Sequence, residues 1–224
     1  HTPNGAQLPK RKGREVRNML KSIEGFSLLA NDFSAQELRL QAEECQCKEM
    51  LACYIGDNKK DIHSATAFQV AAMQGLDEAS YEEYYAKVKA GDKDAKALRS
   101  IGKAVVFASA YGCASGRLSH MLGVPEETAQ LFLDAKAKAF PGLVPHVEEY
   151  NALCRKRKYS ETRGGGRRHL AKMYAMAKND YETSKVDRLA WSFRIQGAGA
   201  EQVKLAMARL WRSAIYKTKD VSLV

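Results

Sequence analysis

The chain's 224 residues are enough for one large domain or two small ones around a real core. Its 36 Lys and Arg against 26 Asp and Glu leave a net charge of +10, a balance that suits a polyanionic partner such as nucleic acid. Hydrophobic residues make up 45%, yet no run approaches the ~20 apolar residues of a membrane span, so no membrane partner is expected. The five cysteines form no Cys-x-x-Cys pair, and their odd number argues against a full disulfide framework and for a reducing, intracellular setting. Cys45, Cys47 and Cys53 have no second cluster to complete a tetrahedral metal site and read as helix-face residues. The N-terminus has no apolar signal region and starts on His1 rather than Met, which reads as a processed, cut or partly observed chain.

In chain order, residues 1–14 form an irregular basic segment punctuated by Pro3, Gly5, Pro9 and Gly13. Phe26 to Phe33 reads as an apolar strand ending in the carboxylate of Asp32. Ser34 and Glu37 then match a capping box that opens a helix through about Cys53. Asp32 is either a solvent-facing strand end or, as a carboxylate at a sheet edge, a ligand for Mg²⁺, which prefers hard oxygens. His63 falls near a helix start, where a capping or surface role is the plain reading. Residues 72–97 are polar and charged, with Gly91 to Asp94 as a loop before the next helix.

Arg99, Lys103, Phe107 and Tyr111 recur every four residues. Four residues of α-helix turn about 400°, so the row stays on one face and presents two cations followed by two rings. Such a face suits a ligand with an anionic end and a flat end, as in a nucleoside triphosphate. It equally describes an amphipathic helix with a buried aromatic stripe and two solvated cations.

Beyond Gly112 a turn leads into another helix, and Pro125-Glu126-Glu127 opens the next, ended by Phe140-Pro141. Val144 to Cys154 reads as helix again, running into the basic Arg155 to Lys158. Arg163-Gly164-Gly165-Gly166-Arg167-Arg168 is either a solvated loop or a hairpin whose glycines bring backbone near phosphates that the arginines neutralise. No Gly-Lys-Ser/Thr follows, so a Walker-type loop is not indicated. Arg188 to about Ile215 is the longest helical candidate, interrupted by Gly197-Ala198-Gly199.

Five of these runs, in this order, resemble motifs of the family A DNA polymerases, the DNA polymerase I type. Asp32-Phe33-Ser34-Ala35-Gln36-Glu37-Leu38-Arg39 resembles motif A, Asp-Tyr-Ser-x-x-Glu-Leu-Arg. Asp61-Ile62-His63-Ser64-Ala65-Thr66-Ala67 is similar to Asp-Ile-His-Thr-x-Thr-Ala, and Arg99-x3-Lys103-x3-Phe107-x3-Tyr111-Gly112 to motif B. Tyr159 to Arg168 is similar to Tyr-x-x-Thr-x-x-Gly-Arg-Arg with one extra residue, and Arg188 to Met207 to Arg-x-Ala-x-Asn-x-x-x-Gln-Gly followed by Ala-Asp-x-x-Lys-x-Ala-Met. A looser likeness joins Thr2 to Pro9 with the family's Pro-Asn-Leu-Gln-Asn-Ile-Pro. Val106, Ser100, Ser192 and Glu201 depart from the residues common in the family.

The resemblance implies an α+β fold, with a mainly helical fingers region and a small antiparallel palm sheet that carries Asp32. Palm would take up residues 1–60 and 151–224, and fingers residues 61–150. It implies template-directed addition of deoxynucleotides to the 3′-hydroxyl of a DNA primer-template, with two Mg²⁺ ions activating the 3′-oxygen and stabilising the departing pyrophosphate. Asp32 and the Phe33 carbonyl would be metal ligands, and Asp32 and Lys103 the catalytic residues. His63, Arg99 and Lys103 would face the triphosphate, Phe107 and Tyr111 the base and sugar, and Glu37 would block a ribose 2′-hydroxyl. Gly112, Arg167, Arg168, Arg188 and Gln196 would meet DNA. The family's motif C, a His-Asp-Glu turn with a second metal-binding aspartate, occurs nowhere in the sequence. The expectation is therefore a fragment or one subunit of a split enzyme, with little activity alone and a second polypeptide or segment carrying motif C. A catalytically silent DNA-binding module on the same scaffold is the alternative, and a single-subunit RNA polymerase is disfavoured by Glu37. The expected location is the cytoplasm of a bacterium or of a phage-infected cell, with an organelle as the other setting.

Overall fold

The computed structural model describes residues 22, 24–27, 32–57, 59–75, 80–110 and 112–213. Two compact units divide the chain, His1–Ser34 and Ala35–Val224. In the first, Glu24 and Gly25 make a turn in which Gly25 takes φ 83°. Phe26, Ser27, Asp32 and Phe33 lie exposed in non-regular backbone, so the strand expected over Phe26 to Phe33 is not formed at its described residues. A strand needs a ladder partner, and the two strands among the described residues pair with each other.

The second unit is mainly helical. Among the described residues its helices are α1 (Gln36–Cys45), α2 (Lys48–Leu51), α3 (Ile62–Met73), α4 (Tyr81–Ala90), α5 (Lys93–Ala110), α6 (Ser115–Leu122), α7 (Glu126–Ala139), α8 (Leu143–Arg157), α9 (Ala171–Met176) and α10 (Asp180–Arg212). Between α8 and α9, β1 (Tyr159–Glu161) and β2 (Arg167–His169) form an antiparallel hairpin that pairs Tyr159 with His169, Ser160 with Arg168 and Glu161 with Arg167. A mainly helical α+β architecture is what the sequence led us to expect. No helix among the described residues is long and apolar enough to cross a membrane.

Local chemistry moves several boundaries. The N-cap of α1 falls on Ala35, with φ 51° and no side-chain capping bond of its own, one residue beyond the Ser34 expected there. The helix expected to reach Cys53 stops at Cys45, where Gln46 turns left-handed (φ 48°) and its amide donates to the Glu43 carbonyl at 2.6 Å. The Gly91–Asp94 loop shrinks to Gly91 and Asp92, since Asp92 Oδ1 accepts from the Ala95 N–H at 2.8 Å and starts α5 early. Helix α10 begins at Asp180, where the Asn179 side chain accepts from the Glu182 N–H, and runs unbroken through Gly197-Ala198-Gly199 for about 50 Å. The methyl group of Thr162 packs where a Gly197 Cβ would stand, so that glycine serves hairpin docking rather than a helix break.

Helix α5 is the spine of this unit. Its neighbouring Val105 and Val106, both fully buried, point into different clusters. Val106 joins Leu38, Met50, Ile62, Phe140, Tyr150 and Trp191. Val105 joins Val70, Leu118, Ala129 and Phe132. On the α3 side Gly102 is required: a Cβ there would lie 2.9 Å from Ala67 Cβ and closer still to the His63 carbonyl. That close approach places the first turn of α3 beside the exposed face of α5.

Candidate functional site

Asp61 organises the start of α3. Its Oδ2 accepts from the Ser64 N–H at 2.9 Å and from the Ser64 hydroxyl at 2.6 Å, an N-cap reinforced by a side chain. The same carboxylate takes both forks of Arg99, Nε to Oδ2 at 2.8 Å and Nη2 to Oδ1 at 3.1 Å. The Asp61 backbone N–H donates to the Tyr81 hydroxyl at 2.9 Å, and burial pushes that phenol up to about 12, keeping it neutral. Burial alone would raise the Asp61 carboxyl, but the Arg99 and Ser64 donors win and hold it below its ordinary 3.8.

Two residues along α3 and one turn along α5, the next side chains converge. The His63 ring stacks on Phe107 with centroids 5.6 Å apart and planes 29° from parallel. Lys103 Nζ lies 5.8 Å from the centroid of the same Phe107 ring. Phe107 is 44% exposed, so its outer face is open to a flat ligand. Burial, with help from the Arg99 and Lys103 charges, lowers His63 below its ordinary 6.5, while Asp61 pulls the other way. The ring is therefore neutral at pH 7, and its buried Nδ1 has no hydrogen-bond partner among the described residues. The result is a surface with a cationic end and an aromatic end, with His63 between them. It fits a ligand that pairs phosphates with a ring system.

Four of the six residues expected to face a nucleotide, His63, Arg99, Lys103 and Phe107, thus share one surface. Tyr111 lies outside the described residues. Glu37 sits half-buried on α1, one turn before Gln41, whose amide donates to the Ala110 carbonyl at 3.0 Å and ties α1 to the end of α5. Asp32 and Phe33 are exposed within the first unit. Among the described residues no group of three or more His, Cys, Asp or Glu stands where it could hold a metal ion. The Asp32 carboxylate and the Phe33 carbonyl are hard oxygens suited to Mg²⁺, which commonly takes one or two carboxylates and completes its shell with water and phosphate.

The residues expected to meet DNA fall in three places. Gly112, with φ 68°, lies against Arg188 of α10: a Cβ on it would stand 2.7 Å from the Arg188 Cγ. Gln196 is exposed two turns along the same helix. The hairpin holds Arg167 and Arg168. Arg167 folds back onto Glu161 and over the Tyr159 ring, whereas Arg168 is exposed and makes no ion pair among the described residues.

Sequence reasoning missed the acids that hold this surface together. Glu44 takes Arg194 at 2.6 Å and Arg163 at 3.2 Å, joining α1 to α10 and to the hairpin loop. Glu201 of α10 accepts from the Thr162 hydroxyl and, at 3.0 Å, from the Gly164 N–H, so the glycine loop is docked rather than free. Glu201 was visible only as a departure from the aspartate common in the resembled motif, and Glu44 carried no signal at all.

Residues 1–224 match the family described as DNA polymerase family A. DNA polymerase I of Deinococcus radiodurans is 33% identical over 210 residues, covering 93% of this chain and 20% of that protein. The thermostable DNA polymerase I of Thermus aquaticus is 29% identical over 211 residues, covering 93% of this chain and 23% of that protein. The chain therefore spans about a fifth of the length of these curated relatives. Among solved structures, the POL domain of Pol1 from M. smegmatis, in complex with DNA primer-template and dNTP, superimposes with a TM-score of 0.70 at 24% identity. That match covers 92% of this chain and 33% of the other, a likeness of fold.

Proposed function

The chain belongs to DNA polymerase family A, and from that membership we propose that it is the nucleotide-binding fingers and part of the palm of a template-directed DNA polymerase. Residues 61–150 make up the fingers, and residues 1–60 and 151–224 contribute to the palm. The observation that carries this reading is the convergence of His63, Lys103 and Phe107 beside Arg99, on two helices pressed together by Gly102.

In the reaction proposed, a primer 3′-oxygen attacks the α-phosphorus of a bound dNTP, forming a new P–O bond as the bond to pyrophosphate breaks. Arg99 and Lys103 offset charge on the triphosphate and on the departing pyrophosphate. Phe107 presents its open face to the base and sugar, with Tyr111 completing that wall. Glu37 rejects a 2′-hydroxyl. His63 packs behind Phe107 and fixes its tilt while contacting the phosphates. Arg188 and Gln196, on one long helix, follow the primer-template with Gly112, and Arg167 and Arg168 meet its backbone. Asp32 and the Phe33 carbonyl would hold Mg²⁺, an ion that would supply polarisation of the reacting oxygens. The sequence has no His-Asp-Glu, and the second carboxylate is assigned to another segment or polypeptide.

Primer extension with Mg²⁺ and deoxynucleotides, on this chain alone and with a polypeptide bearing His-Asp-Glu, tests the reading. Extension only in the second case, abolished by Asp32→Ala, is the expected result. Retained primer-template binding without extension in either case would instead identify a silent DNA-binding module.

A further inference from the structure

Resting on the reading of the α3–α5 face as a triphosphate site, we infer that Asp61 is a positioning residue that presents Arg99 to the nucleotide as a one-edged clamp. A guanidinium has two edges able to grip a pair of oxygens. Asp61 occupies the Nε/Nη2 edge with both carboxylate oxygens, at 2.8 and 3.1 Å. Nη1 and the second hydrogen of Nη2 have no partner among the described residues, and the Arg99 side chain is 34% exposed. The plane of the guanidinium is thereby fixed with its free edge outward, so a phosphate can be taken bidentately without first ordering a long side chain.

Asp61 is itself over-determined. Ser64 supplies two donors to Oδ2, the Asp61 N–H is held by Tyr81, and Tyr81 stacks on Tyr85 with centroids 5.7 Å apart. The carboxylate cannot swing away with Arg99, because it is the cap of α3. Arg99 and His63 are thus set by one anchor: Asp61 fixes the first by ion pairing and the second by starting the helix two residues before it. Competition is the opposite possibility, in which Asp61 would have to release Arg99 before phosphate could bind. The free Nη1/Nη2 edge removes that need.

The test measures binding of dATP and dAMP, with Mg²⁺, to the whole chain by calorimetry. An Asn at position 61 keeps an N-cap acceptor for Ser64 but sets an amide N–H₂ against Arg99, so the two-oxygen grip is lost. Asp61→Asn is expected to shrink the preference for dATP over dAMP about tenfold when compared at matched folded fraction. Arg99→Lys, which leaves the cap untouched and removes the fork, is expected to do the same, and the double variant no more than either alone. A merely structural Asp61 would weaken both nucleotides alike. An unchanged or enlarged preference in Asp61→Asn or in Arg99→Lys overturns the inference. If Arg99→Ala changes neither affinity, the triphosphate site itself fails and the inference with it, an outcome distinct from the first.

Discussion

Gly102 lies so close beneath the first turn of α3 that the His63 carbonyl and Ala67 occupy the space a side chain would need. In an exposed helix, Gly→Ala gains about 1 kcal/mol from backbone entropy. Here the added methyl must push two buried helices apart, which costs about 1–3 kcal/mol or more in a packed core. Overpacking wins, so Gly102→Ala is expected to destabilise the fold by a net ~1–2 kcal/mol and to weaken the stacking of His63 on Phe107. Urea unfolding checks the first effect; a variant as stable as the wild type would show that α3 and α5 do not meet this closely.

Phe107 separates function from stability. At 44% exposure it buries only part of its ring, so Phe107→Ala is expected to cost about 1 kcal/mol of stability. Its loss removes the flat wall of the nucleotide site, and dNTP affinity is expected to fall roughly tenfold or more. Titration with a dNTP at matched folded fraction distinguishes the two. Equal losses in affinity and stability would place Phe107 in the core rather than in a site.

How much of this was legible in the sequence differs between its parts. The α5 row could be read because a helix converts a spacing of four into a shared face, and the observed helix places Lys103 and Phe107 on that face as expected. The partner of Arg99 could not be read. Asp61 lies 38 residues away, and nothing local distinguishes a carboxylate that caps a helix from one that also holds an arginine. The hairpin arginines carry the same lesson: their spacing suggested free positive charge, but Arg163 is committed to Glu43 and Glu44 across 119 or more residues. The helix break at Gln46 was hidden because a non-glycine residue adopts the left-handed turn.

His63 gives the fold a pH dependence of definite sign. Burial lowers its pKa below the ordinary 6.5, so between those two values the unfolded chain binds more protons than the folded one. Its contribution to stability is full above about pH 6.5 and is lost as pH falls from there toward the lowered value. Asp61, also lowered, contributes above about 3.8 and loses its share only in more acid solution. Replacing His63 with Gln is expected to flatten the stability curve between pH 7 and pH 5 while leaving the steeper acid limb. Parallel curves for the two proteins in that interval would contradict a neutral, half-buried His63.

Glu201 holds the glycine loop through one carboxylate. Glu201→Gln keeps the size of the side chain but removes the charge that strengthens its bonds to the Thr162 hydroxyl and the Gly164 N–H. A loss of about 1 kcal/mol or less is expected, together with faster hydrogen exchange at the Gly164 and Gly166 amides and unchanged exchange within α5. Unaltered exchange at both glycines would mean that the turn is held by its own backbone bonds, Thr162 to Gly166 and Gly165 to Thr162, without help from α10.

The ties between α1 and α10 have a consequence for how the chain is made. Arg194 reaches Glu44 across 150 residues, and the Gln36 amide bonds the Gly199 carbonyl across 163. Val70, Val105, Leu118 and Phe132, by contrast, all lie within one contiguous third of the sequence and can close on each other early. At about 5–20 residues per second of synthesis, the ribosome needs roughly eight to thirty seconds to add the residues that separate Glu44 from Arg194. Through that interval Leu38, Ala42 and Met50 stand without Trp191 and Ile195, their eventual neighbours. The nascent chain thus carries an apolar seam from α1 onward, sealed only when α10 leaves the exit tunnel.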